Sequence, residues 1–345
     1  NVATVSDLSG VSLDGATDAR FNNLAADEYR GDIQAVPGSG NILGVGLLNG
    51  VVYAWRNNPG GSATNMYKST ASGWSQVTFG KELYFNTGAA VITAGQTVTG
   101  ASSSASAVVA RVIIESGTFA GGNAAGRLIL SSDNGTPFSG GENIQVSSAT
   151  KAVTVGTQTQ ITLSPNGRFE TVTANFGGAT NSFRMYGCDS VNRAFEFDGT
   201  NFVPINTGMT ADTPKHIASH KAHLFLSFGA SLQFSGLGLP FQWTPVLGAG
   251  ELAMNAEITN LIPLPGDQSS GALGIYTKRD TSVLYGTSSG NFALSTFNTG
   301  TGGYDYTAQN MDTAYVLDDR GIMSLGTTLN FGNFLPSSLT MNIRP

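Results

Sequence analysis

One phrase recurs along this chain: a short apolar strand, a polar turn, then an aromatic residue with an aliphatic one three places on and a glycine soon after. It reads Met66-Tyr67 to Gly73-Trp74 and Val77 with Gly80, then Phe195 through Gly199 to Phe202 and Ile205 with Gly208. It returns as Phe234-Ser235-Gly236 to Trp243 and Val246 with Gly248, and more loosely as Val283-Leu284-Tyr285 to Phe292. The later aromatics recur at roughly 40 to 50 residues, the length of a four-stranded propeller blade. The first interval, Trp74 to Phe202, is far longer. It falls into the series only if residues 83–164, which differ in composition, are a foreign segment.

These features predict an all-β chain, β-propeller-like, with about five or six blades and a small inserted β domain. Residues 1–32 read as an N-terminal arm or lead-in strand that could close the ring. The propeller is expected over 33–82 and 165–345, and the inserted domain over 83–164. Blades are expected at about 33–80, 168–208, 213–250 and 257–300, with a last one from Thr307 through Ile322-Met323-Ser324-Leu325. Asn49-Gly50 between two apolar runs is a strong hairpin signal, because both central residues of a type I′ turn need positive φ; Asn134-Gly135, Asn166-Gly167 and Asp198-Gly199 repeat the device. No long stretch has the apolar spacing of an amphipathic helix. One blade cannot bury both faces, so a core arises only where sheets stack around an axis.

Composition narrows the function classes. Only 12% of the 345 residues are charged, about half the usual fraction, and 45 glycines with many Ser, Thr and Asn supply the polar surface. A net charge of −6 gives no basic footprint for gripping nucleic acid. The single cysteine, Cys188, has no intrachain disulfide partner and reads as a small buried apolar residue. No run of 18 apolar residues occurs, so no membrane span is expected.

Four groups of residues offer candidate chemistry. Gly286-Thr287-Ser288-Ser289-Gly290 matches a nucleophile elbow, but all three histidines precede it and its flanks predict strands, so a β-turn is the better reading. His216, His220 and His223 could supply metal ligands if helical; a strand-turn-strand pattern would scatter them. Asp318-Asp319-Arg320-Gly321 reads as a hairpin turn with a local ion pair. Glu196 and Asp198 flank Phe197 on one strand face, where they could share a proton or a cation, and no third acid lies near in sequence. The reading therefore assigns no catalytic, cofactor-binding or metal residues and no cofactor.

The stretch from Pro37 through Trp55-Arg56-Asn57-Asn58 to Gly73-Trp74, the module from Gly95-Gln96-Thr97-Val98 to Gly126-Arg127-Leu128, and Phe234 through Pro240 with Gly248-Ala249-Gly250-Glu251 resemble phage tail virion structural proteins. So do Leu284 through Ser289 and Leu317 through Gly321. The nearest type is the nozzle, or tail tubular protein B, of short-tailed phages, itself a propeller with an inserted small β domain. The resemblance implies a non-enzymatic structural subunit located in the virion. Its expected partners are copies of itself in a ring, neighbouring tail or portal-adaptor proteins, and genomic DNA passing through the channel without specific binding. Two other readings stand beside it. One is a glycan-binding module for a host receptor, with Trp55 the freest of the three tryptophans and Trp74 and Trp243 as core at equivalent blade positions; the other is a propeller glycosidase.

Overall fold

The computed structural model describes residues 34–179, 182–264, 271–311, 313–327 and 334–338. The proposed arm at 1–32 lies outside the described residues. The described fold is all-β with one turn of 3-10 helix, Pro245–Leu247, and contains five four-stranded antiparallel sheets and one larger one.

Blade 1 comprises β1 (Ser39–Leu48), β2 (Val51–Asn57), β3 (Thr64–Thr70) and β4 (Gly73–Gln76). The insertion follows as β5 (Lys81–Gly88), β6 (Thr97–Gly100), β7 (Ser106–Ser116), β8 (Ala124–Asp133), β9 (Asn143–Val146), β10 (Ala149–Thr154) and the short β11 (Thr159–Gln160). Blade 2 is β12 (Glu170–Ala174), β13 (Arg184–Cys188), β14 (Phe195–Phe197) and β15 (Phe202–Pro204). Blade 3 is β16 (Ile217–His220), β17 (His223–Phe228), β18 (Ser231–Phe234) and β19 (Gly250–Ala253). Blade 4 is β20 (Ile258–Pro263), β21 (Leu273–Thr277), β22 (Asp280–Tyr285) and β23 (Ala293–Thr299). Blade 5 is β24 (Gln309–Asn310), β25 (Ala314–Asp318), β26 (Gly321–Thr327) and β27 (Phe334–Ser338).

Within each blade the strands pair in sequence order, as consecutive hairpins dictate. The first strands of successive blades lie side by side from β1 to β24 and so line the axis of a five-bladed β-propeller. Apolar residues alternating along each strand meet those of the next blade in four inter-blade cores. Between blades 1 and 2, Trp55 stacks on Phe169 at 4.9 Å and Tyr53 meets Phe197 edge-on at 5.1 Å. Between blades 3 and 4, Phe225, Phe234 and Phe292 interlock with centroids 5.3 to 5.8 Å apart. Ile217, Leu224 and Cys188 fill the contact between blades 2 and 3, and Val283, Val316 and Met323 that between blades 4 and 5. Burial of each large side chain stabilises by roughly 1.5–3 kcal/mol. At Gly44 the neighbouring blade comes so close that an added Cβ would sit 2.5 Å from that of Phe169, so only glycine fits.

The insertion closes on itself. Its strands run β5-β8-β7-β6-β9-β10, and β10 pairs back onto β5 through Val153–Asn86 and Thr154–Phe85. The result is a six-stranded antiparallel barrel without a free edge, a solution to the edge-strand problem. Leu83, Val98, Leu128, Phe138 and Ile144 fill its interior. Ile113 and Ile129 turn the other way and join Met66, Phe197 and Phe202 in the core of blades 1 and 2.

Candidate functional site

The mouth of the axis, where the chain enters the first strands, gathers charged residues from four blades. Glu170 opens β12, Lys215-His216 precedes β16, Glu257 precedes β20 and Asp305-Tyr306 leads into β24. Lys215 Nζ donates to Glu257 Oε1 at 2.7 Å and to Asp305 Oδ2 at 2.9 Å. Burial acts to lower the Lys215 pKa, and these two carboxylates outweigh it, so the ammonium is held above its ordinary value. His216 is fully buried, with Nδ1 3.0 Å from Glu170 Oε2. A carboxylate can only accept, so Nδ1 carries the proton. Its Nε2 stands 3.6 Å from Asp305 Oδ1, beyond a hydrogen bond. The Tyr306 ring lies 4.7 Å from that imidazole and under the Arg168 guanidinium at 4.0 Å. Tyr306 takes φ 61°, a left-handed backbone costing a bulky residue on the order of 1–3 kcal/mol.

Every acid in this cluster has a cationic or imidazole partner, and the network spans blades 2 to 5. Its chemistry is that of a staple across the mouth. Sequence reasoning reached only His216 of this set. The available signal was a charged residue at or just ahead of the inner strands of blades 2 to 5, at the period of the blades, whereas the expectation followed aromatics on outer strands.

Glu196 and Asp198 share a cation, and it is the guanidinium of Arg111. Glu196 is buried and accepts from Arg111 Nη2 at 2.7 Å and from the Tyr186 hydroxyl at 2.8 Å. Burial first, and then the Glu196 charge, push the Tyr186 phenol far above its ordinary value. Asp198 lies 3.5 Å from Arg111 and caps its own turn through the Asn201 and Thr200 amides. Burial opposes ionisation of Asp198, and those hydrogen bonds overcome it, leaving its pKa lowered. Arg111 belongs to the barrel, so this pair is a bolt between barrel and propeller. A second bolt runs through Glu82, which takes Arg193 Nη2 of blade 2 at 2.6 Å and the buried Arg127 of the barrel.

The remaining candidates sit in turns and strand contacts of their own blades. His220 and His223 face each other across the β16–β17 turn, away from His216 at the strand's start. Burial pushes His220 down to about 4, with Lys221 and His223 adding to the effect. His223 Nδ1 donates to the Ser235 carbonyl at 2.6 Å. Ser288 sits in a turn whose Thr287 and Ser288 amides are capped by Asn291 Oδ1. Asp318 accepts from the Arg320 amide at 2.7 Å and from its guanidinium at 2.8 Å within the β25–β26 turn. Among the described residues no group of three or more His, Cys, Asp or Glu is placed to hold a metal, and no helix is long and apolar enough to cross a membrane.

The tryptophans reverse the sequence-based expectation. Trp55, expected to be the freest, is 0% exposed beneath Phe169, while Trp74 and Trp243 are half-buried. Trp74, Phe202 and Phe292 do sit at the start of fourth strands. Trp243 instead lies in a long loop ahead of β19, displaced from the equivalent position.

That loop, between β18 and β19, carries the most conspicuous surface feature. Leu237, Leu239, Val246 and Leu247 are exposed, Val246 at 95%. The loop is braced from within, Gly236 N donating to Gln242 O and Gly248 N to Pro245 O, and from the β16–β17 turn, where Ala222 O accepts from Gly238 N. Trp243 Nε1 donates to Pro240 O at 3.0 Å, and Gln242 Nε2 donates to Ile114 O of the barrel at 2.6 Å. Gly248, at φ 83°, ends the 3-10 turn in the left-handed region that glycine tolerates. Exposed aliphatic side chains of this kind on a braced platform make the loop a candidate contact surface.

No protein-family model and no curated protein matches this chain. Among solved structures it is similar to a functionally unknown protein from Desulfotomaculum acetoxidans, with 10% identity and a TM-score of 0.36, over 87% of this chain and 86% of that one. It is also similar to PorZ, an essential bacterial surface component of the type-IX secretion system of Porphyromonas gingivalis, with 11% identity and a TM-score of 0.36. That match covers 87% of this chain and 41% of PorZ, so the chain spans less than half the length of that protein. Neither similarity assigns this chain a function.

Proposed function

We propose that this chain is a non-enzymatic structural subunit of a phage tail, a nozzle or hub component that assembles in a ring around the DNA channel. The observation that carries the reading is the braced aliphatic crest of Leu237, Leu239, Val246 and Leu247, a surface suited to a neighbouring subunit. Two features agree with it. The acids and histidines that offered candidate chemistry are engaged in ion pairs, turns or strand contacts. The barrel is bolted to blade 2 by ion pairs and packs Ile113 and Ile129 into the core of blades 1 and 2, which makes the subunit a stiff wedge. Low charge with a net −6 also suits a channel wall, since few phosphate contacts can form and DNA can pass without sticking.

Cryo-electron microscopy of the assembled particle, with this chain located in the map, tests the proposal. A ring coaxial with the tail channel and the crest buried against a neighbour is the expected result. A peripheral position with the crest in solvent, together with binding to host polysaccharide on an array, would overturn it in favour of receptor recognition.

A further inference from the structure

Strand β16 runs from the charged mouth to the β16–β17 turn, and that turn lies under the base of the crest loop. Its central residues, Lys221 and Ala222, take φ 48° and 56°, a left-handed backbone that side chains rarely adopt and that the surroundings must hold in place. The crest loop supplies the hold. Gly238 N donates to Ala222 O at 2.7 Å and Ser235 N to Leu224 O at 2.9 Å. Leu224 N donates to Ser235 Oγ at 3.0 Å, and His223 Nδ1 donates to Ser235 O at 2.6 Å. The turn and the first residues of the loop therefore form one hydrogen-bonded unit.

Two histidines back this unit. His220 and His223 are cross-strand partners flanking the turn, so their side chains share one face of blade 3, and their rings lie 6.2 and 6.3 Å from Phe225 on β17. Phe234 on β18 and Phe292 of blade 4 meet His223 in T-shaped contacts at 5.6 and 5.3 Å. Both histidines are buried. A carbonyl can only accept, so the His223 proton sits on Nδ1 and its Nε2 is a lone pair. Neither that atom nor His220 Nε2 has a hydrogen-bond partner among the described residues. The charged or titratable groups bearing on the pair are Lys221 and the two imidazoles themselves; among the described residues no carboxylate acts on either ring. In either imidazolium, Nε2 would carry a proton with no acceptor, beside three phenylalanines and the Lys221 charge. The pocket accepts neutral rings and opposes charged ones.

We infer that the His220–His223 pair is an acid-released latch: with both rings neutral it locks the base of the crest loop onto the β16–β17 turn, and protonation frees turn and loop together. The crest is presented on a rigid base at neutral pH and on a mobile one in acid. This inference concerns the loop's hold on its own blade and does not depend on the tail assignment.

His220 titrates at about 4 in place and at its ordinary 6.5 once the turn opens, so the open form binds more protons between those values. The latch is at full strength above about 6.5 and weakens as pH falls towards 4. From His220 alone the open population should rise about 60-fold between pH 7 and pH 4.5, and His223, also lowered by burial, adds to it.

Hydrogen exchange by mass spectrometry on the full chain across that pH range, corrected for the intrinsic pH dependence of amide exchange, tests the latch. In wild type, residues 222–224 and 235–249 should open at least about 60-fold more often at pH 4.5, with the barrel strands β5 to β10 unchanged. His220→Phe with His223→Gln should flatten the loop's pH dependence to within about threefold, and the gentler His220→Phe alone should reduce it to the share of His223. A wild-type loop that opens no more often at pH 4.5 would overturn the inference. So would a rise shared by the barrel strands, which is general acid unfolding, or one that persists in full in the folded variants.

Discussion

Glu142 offers the sharpest test of how the barrel is held. It is a buried carboxylate that accepts hydrogen bonds from the Ser102 amide and hydroxyl at 2.9 Å each, the Ser103 amide at 2.9 Å and hydroxyl at 2.6 Å, and the Ser139 amide at 2.7 Å. It thereby fixes the β6–β7 connection against the start of β9. Burial alone would raise its pKa. The Ser103 hydroxyl and the Ser102, Ser139 and Ser103 amides outweigh burial and bring it from 4.5 down to about 2. At 1.36 kcal/mol per unit, the carboxylate form contributes about 3 kcal/mol to folding. Glu142→Gln swaps one acceptor oxygen for an amide that opposes its N–H and O–H donors, losing about two charge-assisted bonds at roughly 1.5–3 kcal/mol each. That range, about 3–6 kcal/mol, meets the first estimate at its lower end.

Urea unfolding of wild type and Glu142→Gln at pH 7, followed by circular dichroism, reads this directly. The size of the thermal shift carries additional information. If the barrel melts alone, about 3 kcal/mol corresponds to a drop of at least about 12 °C; if it melts with the whole propeller, the drop is roughly half that or less. The pH dependence has a definite sign. Because the folded pKa is depressed, the contribution is fully present above about 4.5 and is lost as pH falls through about 2. The gap between wild type and variant should close over that window. A variant within 0.5 kcal/mol of wild type at pH 7 (order of the surface-mutation scatter), or a gap unchanged at pH 2, would refute the reasoning.

Three further outcomes are expected. Glu196→Ala should destabilise by about 3 kcal/mol, because it leaves Arg111 and the Tyr186 hydroxyl without their buried partner; a double-mutant cycle with Arg111→Ala in urea should recover at least about 1 kcal/mol of coupling. Trp55→Ala should cost about 3–5 kcal/mol by calorimetry, whereas Trp74→Ala loses mainly its bond to the Gln34 carbonyl and should cost about 1 kcal/mol. Val246→Asp with Leu247→Asp should change stability by less than about 0.5 kcal/mol yet abolish incorporation into assembled particles, scored by particle sedimentation and immunoblotting.

The propeller was legible because its code is local and repeated: alternating strands, turn pairs such as Asn49-Gly50, and an aromatic opening three of the fourth strands. Period alone could not show how blades meet. Trp55 was misplaced because an exposed and a buried tryptophan look alike on an alternating strand. Its fate is decided by Phe169, which follows it by more than a hundred residues across the whole insertion. The same distance hid the bolts. Glu196 and Asp198 looked like a free acidic pair because their cation, Arg111, is supplied by the inserted barrel. The charged bolts and the staple at the axis join elements far apart in sequence, whereas the apolar repeats join neighbouring blades. A sequence reader therefore recovers the blades first and the staples last. This division also separates two kinds of failure: a mutation in the repeats should loosen one inter-blade core, while one at Arg111, Glu82 or Lys215 should release a whole element from the rest.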